Sequence, residues 1–328
     1  FNTAFGKVEK LPFDLRMHRT LTYNCAESVT DRSKIKKSLI KDLKLALTAG
    51  FSHVSTVAPA VSIIDKIKNN TPSKKIDLRE YLTSVISNLE KIEPKMMRDG
   101  GTVEDLLTSI PKTESLLLDF AKLSEAVVLM DDTDSANEIF QWFGKILTKY
   151  DPVSGTGRTY NCDGDFYKFV GHDFFVSFIT PFLREKKWST LKDILKESLK
   201  IGPTDHYRNG TRMTWHELYG FSPLLADESK KRNRISLHSD LLKEMHEKDS
   251  VALVVPFKEF TEVDFFLHLH GDGKTQDRYH SHWYPVSSIW LKNIPEFILD
   301  STDYPTAMKI CGVLQISDTD ELKRRLGH

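Results

Sequence analysis

Residues 113–130 read TESLLLDFAKLSEAVVLM, and their apolar side chains would cover much of the circumference of a helix. A helix that is apolar on most sides is stable when other elements surround it. We therefore expect this stretch to form a buried central helix. Helical periodicity continues on both sides of it, so the sequence predicts a mainly α, multi-helix domain.

The flanking segments show the same period between turn-forming residues. Residues 164–188 and 189–200 predict a helical hairpin joined near Lys187. The stretch VALVV, residues 251–255, is rich in β-branched residues and favours a strand. For residues 202–234 we expect loops with one short strand or helix. Further helices are predicted at residues 54–68, 78–92, 103–110, 134–150, 237–247 and 260–269, and from Asp318, which has capping-box spacing to Glu321.

The composition excludes several classes of protein. The 328 residues include 46 basic and 46 acidic side chains, so no overall charge attracts nucleic acid or an anionic membrane, and contact with nucleic acid would have to be local. No apolar run approaches the roughly 20 residues that cross a bilayer, which predicts no membrane partner. The chain has three widely spaced cysteines, Cys25, Cys162 and Cys311. Their odd number and wide spacing do not indicate a disulfide framework, which favours a reducing, cytoplasmic setting.

The opening of the chain has a different pattern from the rest. Arg19–Asn24, RTLTYN, alternates like a short strand, and residues 34–49 predict a Lys-rich amphipathic helix that ends at Gly50. A single strand needs partners for its backbone hydrogen bonds. The chain begins with Phe1 and not with Met, so we expect the rest of the sheet to lie upstream.

Two domains follow from this change of pattern. Residues 1–50 are predicted to be the last strand and helix of an α/β domain. Residues 51–328 are predicted to be an appended helical domain.

The first stretch, FNTAFGKVEKLPFDLRMHRTLTYN, resembles the closing part of the TIR-like nucleotide-hydrolysing domains of bacterial defence proteins. In those domains a Leu-Pro-Phe-Asp loop, here Leu11–Asp14, precedes the last strand, and the resemblance covers residues 1–50. The later stretches DFYKFVGHDFFVSFITPFL and VSSIWLKNIPEFILDS are similar to long helical modules appended to defence effectors.

The resemblance implies a regulatory role for residues 51–328. TIR-like domains usually cleave NAD and need association to do so, and the family's catalytic glutamate and most of its nucleotide pocket would lie upstream of Phe1. No catalytic residue and no cofactor is therefore expected in this chain, and NAD would be the substrate of the upstream domain. The helical residues would sense a phage-derived or nucleotide ligand and bring copies together as a homo-oligomer.

An enzymatic alternative rests on the histidine-rich stretch HLHGDGKTQDRYHSH, residues 268–282. Imidazoles are good zinc ligands, and a hairpin could bring four of them together, with aspartates completing the shell of a metal-dependent hydrolase. Against this, the first pair ends a predicted helix, where side chains two residues apart point about 200° apart. The candidate ligands are His268, His270, His280 and His282.

A second enzymatic alternative rests on KKRNRISLH, residues 230–238. Arg232 and His238 stand in an R-N-x4-H order that resembles the signature of HEPN-type ribonucleases. The arginine would stabilise the charge on phosphorus, and the histidine would move the proton of the 2'-hydroxyl. More often, such a basic run is a solvated loop before a helix.

Finally, Asp163 and Asp165 in DGDFYKF lack the spacing of a calcium-binding loop. We expect them to be solvated carboxylates that cap a helix.

Overall fold

The computed structural model describes residues 59–95, 99–150, 162–203, 210–271 and 283–326, which all belong to one unit that begins at Ala58. The predicted βα unit of residues 1–50 lies outside these residues. The first five helices are α1 (Ala60–Lys68), α2 (Lys74–Ile92), α3 (Val103–Ser109), α4 (Glu114–Leu129) and α5 (Thr133–Leu147). The prediction of a mainly α, multi-helix fold is confirmed.

The second half of the fold adds one small sheet to the helices. In the described part of the chain, three 3-10 helices connect longer elements: Ile110–Thr113, Trp215–Tyr219 and Val286–Trp290. The remaining elements are α6 (Asp165–Arg184), α7 (Trp188–Lys196), β1 (Leu199–Ile201), β2 (Thr211–Met213), α8 (Pro223–Lys231), α9 (Leu237–His246), α10 (Asp249–Ala252), α11 (Phe257–Gly271), α12 (Glu296–Asp300), α13 (Tyr304–Leu314) and α14 (Thr319–Arg325).

The stretch 113–130 forms α4, which packs against α1, α5 and α6. Leu117, Phe120 and Val127 are buried, whereas Leu129 is half exposed at the end of the helix. The more completely buried helix is α6, in which all residues from Phe169 to Leu183 are buried. The most central element of the described residues is therefore α6, because it is surrounded on all sides, and α4 is its neighbour.

Aromatic rings fill the space between α4, α5 and α6. The ring centroids of Phe120 and Phe174 are 5.0 Å apart, and those of Phe143 and Phe175 are 5.2 Å apart in an edge-to-face arrangement. Trp142 donates its indole N–H to the carbonyl of Leu82 at 2.7 Å. Such rings bury large apolar areas and prefer tilted contacts, so they set the spacing of these helices.

The hairpin around Lys187 is confirmed, but its second helix is shorter than predicted. Helix α7 ends at Lys196, and Leu199–Ile201 pairs antiparallel with Thr211–Met213. Residue 199 is opposite residue 213 in this register. The strand alternates between buried Leu199 and Ile201 and exposed Lys200, a period that fits a sheet better than a helix.

The predicted strand at residues 251–255 is wrong. Val251 belongs to α10, and the segment continues as a turn into α11. Val251, Val254 and Val255 are nevertheless buried. Their β propensity was overridden because no strand lies beside them in the described part of the chain.

The last helix begins where predicted. Asp318 accepts hydrogen bonds from the backbone N–H groups of Asp320 and Glu321. Glu321 in turn accepts from the N–H of Ser317, one residue before the position of an ideal capping box. Among the described helices, none combines the length and apolar character needed to span a membrane.

Candidate functional site

Arg232, the predicted phosphate-binding arginine, lies on the surface at the end of α8. Its Nε is 2.8 Å from Oε1 of Glu228, and its Nη2 is 2.7 Å from Oε1 of Glu104. Both nitrogens are therefore engaged with carboxylates, and the second of these ion pairs connects α8 to α3.

His238, its predicted catalytic partner, lies in the core. The His238 ring centroid is 4.9 Å from that of Phe169 and 5.3 Å from that of His172. Burial, together with His172, holds the pKa of His238 well below its usual value. Ribonuclease chemistry would require Arg232 and His238 at one accessible phosphate, and these surroundings lend it no support; the interpretation stays a prediction.

Two of the four predicted metal ligands lie in the last turn of α11. Nδ1 of His268 is 2.9 Å from the carbonyl oxygen of Trp283, while His270 is buried with its ring centroid 5.2 Å from that of Trp215. His280 and His282 lie outside the described residues. Within the residues that are described, no group of three or more His, Cys, Asp or Glu side chains could hold a metal ion.

The main polar feature of the interior is the carboxylate of Asp264 on α11. Its Oδ1 is 3.0 Å from Nε2 of His172 and 2.7 Å from Nε1 of Trp283. Its Oδ2 accepts from the backbone N–H and from the hydroxyl of Ser287, at 2.8 and 2.7 Å. Four hydrogen bonds thus stabilise a carboxylate that is shielded from water, and they connect α6, α11 and the Val286–Trp290 helix.

A second buried pair lies beside the first on α6. Nε2 of His246 is 2.7 Å from Oδ1 of Asp173, and Nδ1 of His246 is 3.0 Å from the carbonyl oxygen of Val255. The two pairs use adjacent residues of α6, His172 and Asp173, to bind different partners. We call the four residues His172, Asp173, His246 and Asp264 the core network.

Sequence reasoning missed the core network, although a signal for it was present. His172 and Asp173 interrupt a helix of aromatic residues, and Asp264 does the same in α11. A charged residue within an apolar segment that is buried on all sides must find a partner, because an unpaired buried charge is costly. The pattern could therefore have indicated buried pairs, but it could not have indicated which residues pair.

The expectation that Asp163 and Asp165 are solvated is wrong, since both are buried. Asp165 accepts hydrogen bonds from the Ser222 hydroxyl at 2.7 Å and from the Leu224 N–H at 2.9 Å, and it pairs with Lys168. Burial raises its pKa, and the lysine and these hydrogen bonds oppose that shift. Asp165 is the first residue of α6, whose N-cap position is Gly164, and its hydrogen bonds tie α6 to the start of α8.

An open groove of about 270 Å³ lies on the surface between α9, α11 and the end of the Val286–Trp290 helix. Its lining combines aromatic and basic side chains. We call it the Trp290 groove. The residues that define it are Lys243, Phe257, Lys258, Trp290, Leu291 and Lys292.

Large apolar side chains are exposed near the same segment. Thirteen such side chains are exposed in the described residues, and six of them fall between residues 284 and 308. We call these six the exposed apolar row. Its members are Tyr284, Ile289, Ile294, Leu299, Tyr304 and Met308.

Comparison with known proteins adds no relative to this picture. No protein-family model matches the chain, and neither a curated protein nor a solved structure is significantly similar to it. The function must therefore be argued from the geometry of the residues.

Proposed function

We propose that residues 51–328 are the sensing and association module of an anti-phage defence protein. The module would control a TIR-like, NAD-cleaving domain to which residues 1–50 belong. NAD is then the substrate of that domain, and the helical residues hold no cofactor of their own.

The observation that supports this proposal is the separation between a closed polar interior and a surface suited to binding. The core network uses its histidines and carboxylates to hold one another inside the fold. Accessible features of the described residues include the Trp290 groove and the exposed apolar row. Contiguous exposed apolar patches mark protein-binding surfaces, and the six exposed side chains between residues 284 and 308 are the candidates for such a patch. A groove is typical of a ligand site.

The partner proposed for the exposed apolar row is a second copy of the chain. Burying apolar surface contributes about 25 cal/mol per Å². Side chains such as Ile294 and Leu299, which are 61% and 54% exposed, would contribute in this way on association. A homo-oligomer would bring the attached TIR-like domains together, which is the event those domains need.

We also propose a cytoplasmic location. Within the described residues, the thiols of Cys162 and Cys311 are free. Free thiols persist in a reducing compartment, which agrees with the wide spacing of the three cysteines in the sequence.

The test measures NAD loss by the full-length protein, with its upstream TIR-like residues, over a range of protein concentrations. Specific activity should rise with concentration, and the 328-residue chain by itself should leave NAD intact. Ile294→Asp should shift the activity curve about tenfold or more toward higher concentration, because a charge would have to be buried on association.

Ile76→Asp is the matched control, since Ile76 is 63% exposed and lies outside the exposed apolar row. It should leave the activity curve unchanged. Specific activity that does not depend on concentration, or equal behaviour of the two variants, would contradict the proposal.

A further inference from the structure

Three segments that are distant in sequence converge on the Trp290 groove. Helix α9 contributes Lys243, α11 contributes Phe257 and Lys258, and the segment that follows Ser287 contributes Trp290 and Lys292. The Val286–Trp290 helix packs against both α9 and α11, so the groove walls are held by the packing of the fold.

The charges in the groove leave an excess of positive charge. Glu262 is buried, accepts the Glu296 N–H at 3.1 Å and has Lys258 Nζ 3.6 Å from its other oxygen. Glu247 is 3.7 Å from the ammonium of Lys243. Lys292 is exposed and, within the described residues, forms no ion pair. The lining thus carries three lysines against two carboxylates, an excess of one positive charge, and the side chains of Lys258 and Lys292 are exposed.

Aromatic surface lies directly beside these cations. Nζ of Lys243 is 3.7 Å from the centroid of the Trp290 ring, which is within the range of a cation–π contact. Phe257 is half-buried and adds a second ring to the lining. Flat rings beside ammonium groups match a ligand that has a planar aromatic part and an anionic part, since base–aromatic stacking and phosphate–lysine contacts use these two features.

We propose that the Trp290 groove binds a phosphorylated nucleoside, with the base against Trp290 and Phe257 and the phosphates at Lys258 and Lys292. This inference rests on the proposed sensing function and names the class of ligand that is sensed. The volume of about 270 Å³ is slightly below the roughly 300–1,000 Å³ of small-molecule sites. It accommodates the base and sugar, while the phosphates lie over the exposed lysines at the rim.

Residues 287–294 connect the core network, the Trp290 groove and the exposed apolar row. Ser287 is bound to Asp264 of the core network, Trp290 follows one 3-10 turn later, and the exposed Ile294 follows four residues after that. A ligand that contacts Trp290 therefore acts on a segment with one end anchored in the core and the other in the exposed apolar row.

The experiment is calorimetric titration of the 328-residue chain with ATP, with adenosine and with tripolyphosphate. ATP should bind with one-to-one stoichiometry and about tenfold or more tighter than either of its parts. The double variant Lys258→Glu and Lys292→Glu should bind ATP and tripolyphosphate about tenfold or more weakly than the wild type, and its affinity for adenosine should be unchanged. Trp290→Ala should weaken the binding of both ATP and adenosine. Trp290→Phe, which keeps an aromatic ring, should retain most of the wild-type affinity.

Lys230→Glu is the matched control, because Lys230 is 80% exposed and lies outside the groove. It should leave ATP binding unchanged. Far-ultraviolet circular dichroism identifies any variant that fails to fold, which matters most for Lys258→Glu because Lys258 faces the buried Glu262. Lys292→Glu alone changes an exposed lysine that forms no ion pair within the described residues, and it should weaken ATP binding while leaving Glu262 paired.

Three outcomes would overturn the inference: no saturable ATP binding up to about 1 mM, ATP binding that the two lysine substitutions leave intact, or equal affinity for ATP and tripolyphosphate. Its failure is separable from failure of the proposed function. If ATP binds in the groove but NAD cleavage does not depend on protein concentration, the nucleotide site stands and the proposed association function is contradicted. If NAD cleavage depends on association but ATP does not bind, the proposed function stands and the nucleotide site is contradicted.

Discussion

Nε2 of His246 lies 2.7 Å from Oδ1 of Asp173, and both side chains are buried. The other ring nitrogen of His246 faces the carbonyl oxygen of Val255 at 3.0 Å. Each ring nitrogen of His246 thus has an oxygen partner, and these two contacts join α6 to the end of α9 and to the segment before α11.

The first prediction concerns this pair. Asp173→Ala and His246→Phe should each lower the free energy of unfolding by about 3–5 kcal/mol, because each leaves a buried charged or polar partner unpaired. The double variant should lose clearly less than the sum of the two. Urea unfolding of the four proteins gives the coupling energy.

The control for this double-mutant cycle is a second cycle on the exposed pair Lys230–Asp227. Its coupling energy should be about 0–1 kcal/mol. Strict additivity for Asp173 and His246 would show that they do not interact in solution as the structure describes.

The second prediction concerns Asp264. Asp264→Asn keeps the size of the side chain but replaces one acceptor oxygen with a donor, which would face the donors of Ser287 or of His172 and Trp283. The free energy of unfolding should fall by about 3 kcal/mol or more, measured by urea denaturation. The same change at the exposed Asp193 should alter stability by about 0.5 kcal/mol or less. Equal effects at the two positions would contradict the role assigned to Asp264.

The third prediction is a pH dependence that originates in His238. Its pKa in the folded chain is well below the usual value because of burial and of His172, whereas in the unfolded chain it is about 6.5. As the pH falls below about 6.5, the unfolded state binds a proton that the folded state does not, so stability is lost. Between about pH 7.5 and about pH 5.5 this one group should lower the free energy of unfolding by about 1.4 kcal/mol.

His238→Phe removes the titrating group and keeps an aromatic ring beside Phe169. The variant should lose about 1.4 kcal/mol less than the wild type over the same pH range, as measured by urea denaturation at each pH. Identical pH profiles of the two proteins would show that His238 is not buried in its neutral form.

The fourth prediction compares two glycines within helices. A Cβ on Gly144 would lie 2.1 Å from the backbone oxygen of Lys200, because α5 packs directly on β1. At Gly312 of α13, an added Cβ would meet only the flexible end of Lys192 at 3.5 Å. Gly144→Ala should destabilise the fold by about 1–3 kcal/mol, and Gly312→Ala should stabilise it by about 0.5–1 kcal/mol. Measured by thermal or urea unfolding, the change in the free energy of unfolding should therefore have opposite signs in the two variants. The same sign for Gly144→Ala and Gly312→Ala would argue against this packing of α5 on β1.

The helices were the most predictable part of the fold. The ends of α1 at Lys68 and α2 at Ile92, and the start of α14 after Asp318, agree with the expectations from periodicity and capping. These features depend on residues three to four positions apart, which the sequence displays directly. The errors fell at residues 198–201 and 251–255, where short apolar segments carry too few residues to separate a helix from a strand.

Residues of the candidate site were predictable only as types. The aspartates and histidines inside the apolar helices could have indicated that buried pairs exist, but not which residues pair, because His172 is 92 residues from Asp264 and Asp173 is 73 residues from His246. The Trp290 groove likewise combines residues of three segments, and none of the motifs found in the sequence includes them together.

The sequence by itself determined that this protein is built from helices, where most of them begin and end, and which faces they bury. Those properties arise from hydrogen bonds and side-chain contacts within one or two turns of the chain. Only the tertiary structure decided that His238 is a core residue, that Arg232 belongs to a surface ion pair, and that Lys258 and Trp290 share a groove. The reason is physical: the environment of a side chain depends on which helices pack beside it, and that packing is a property of the whole core.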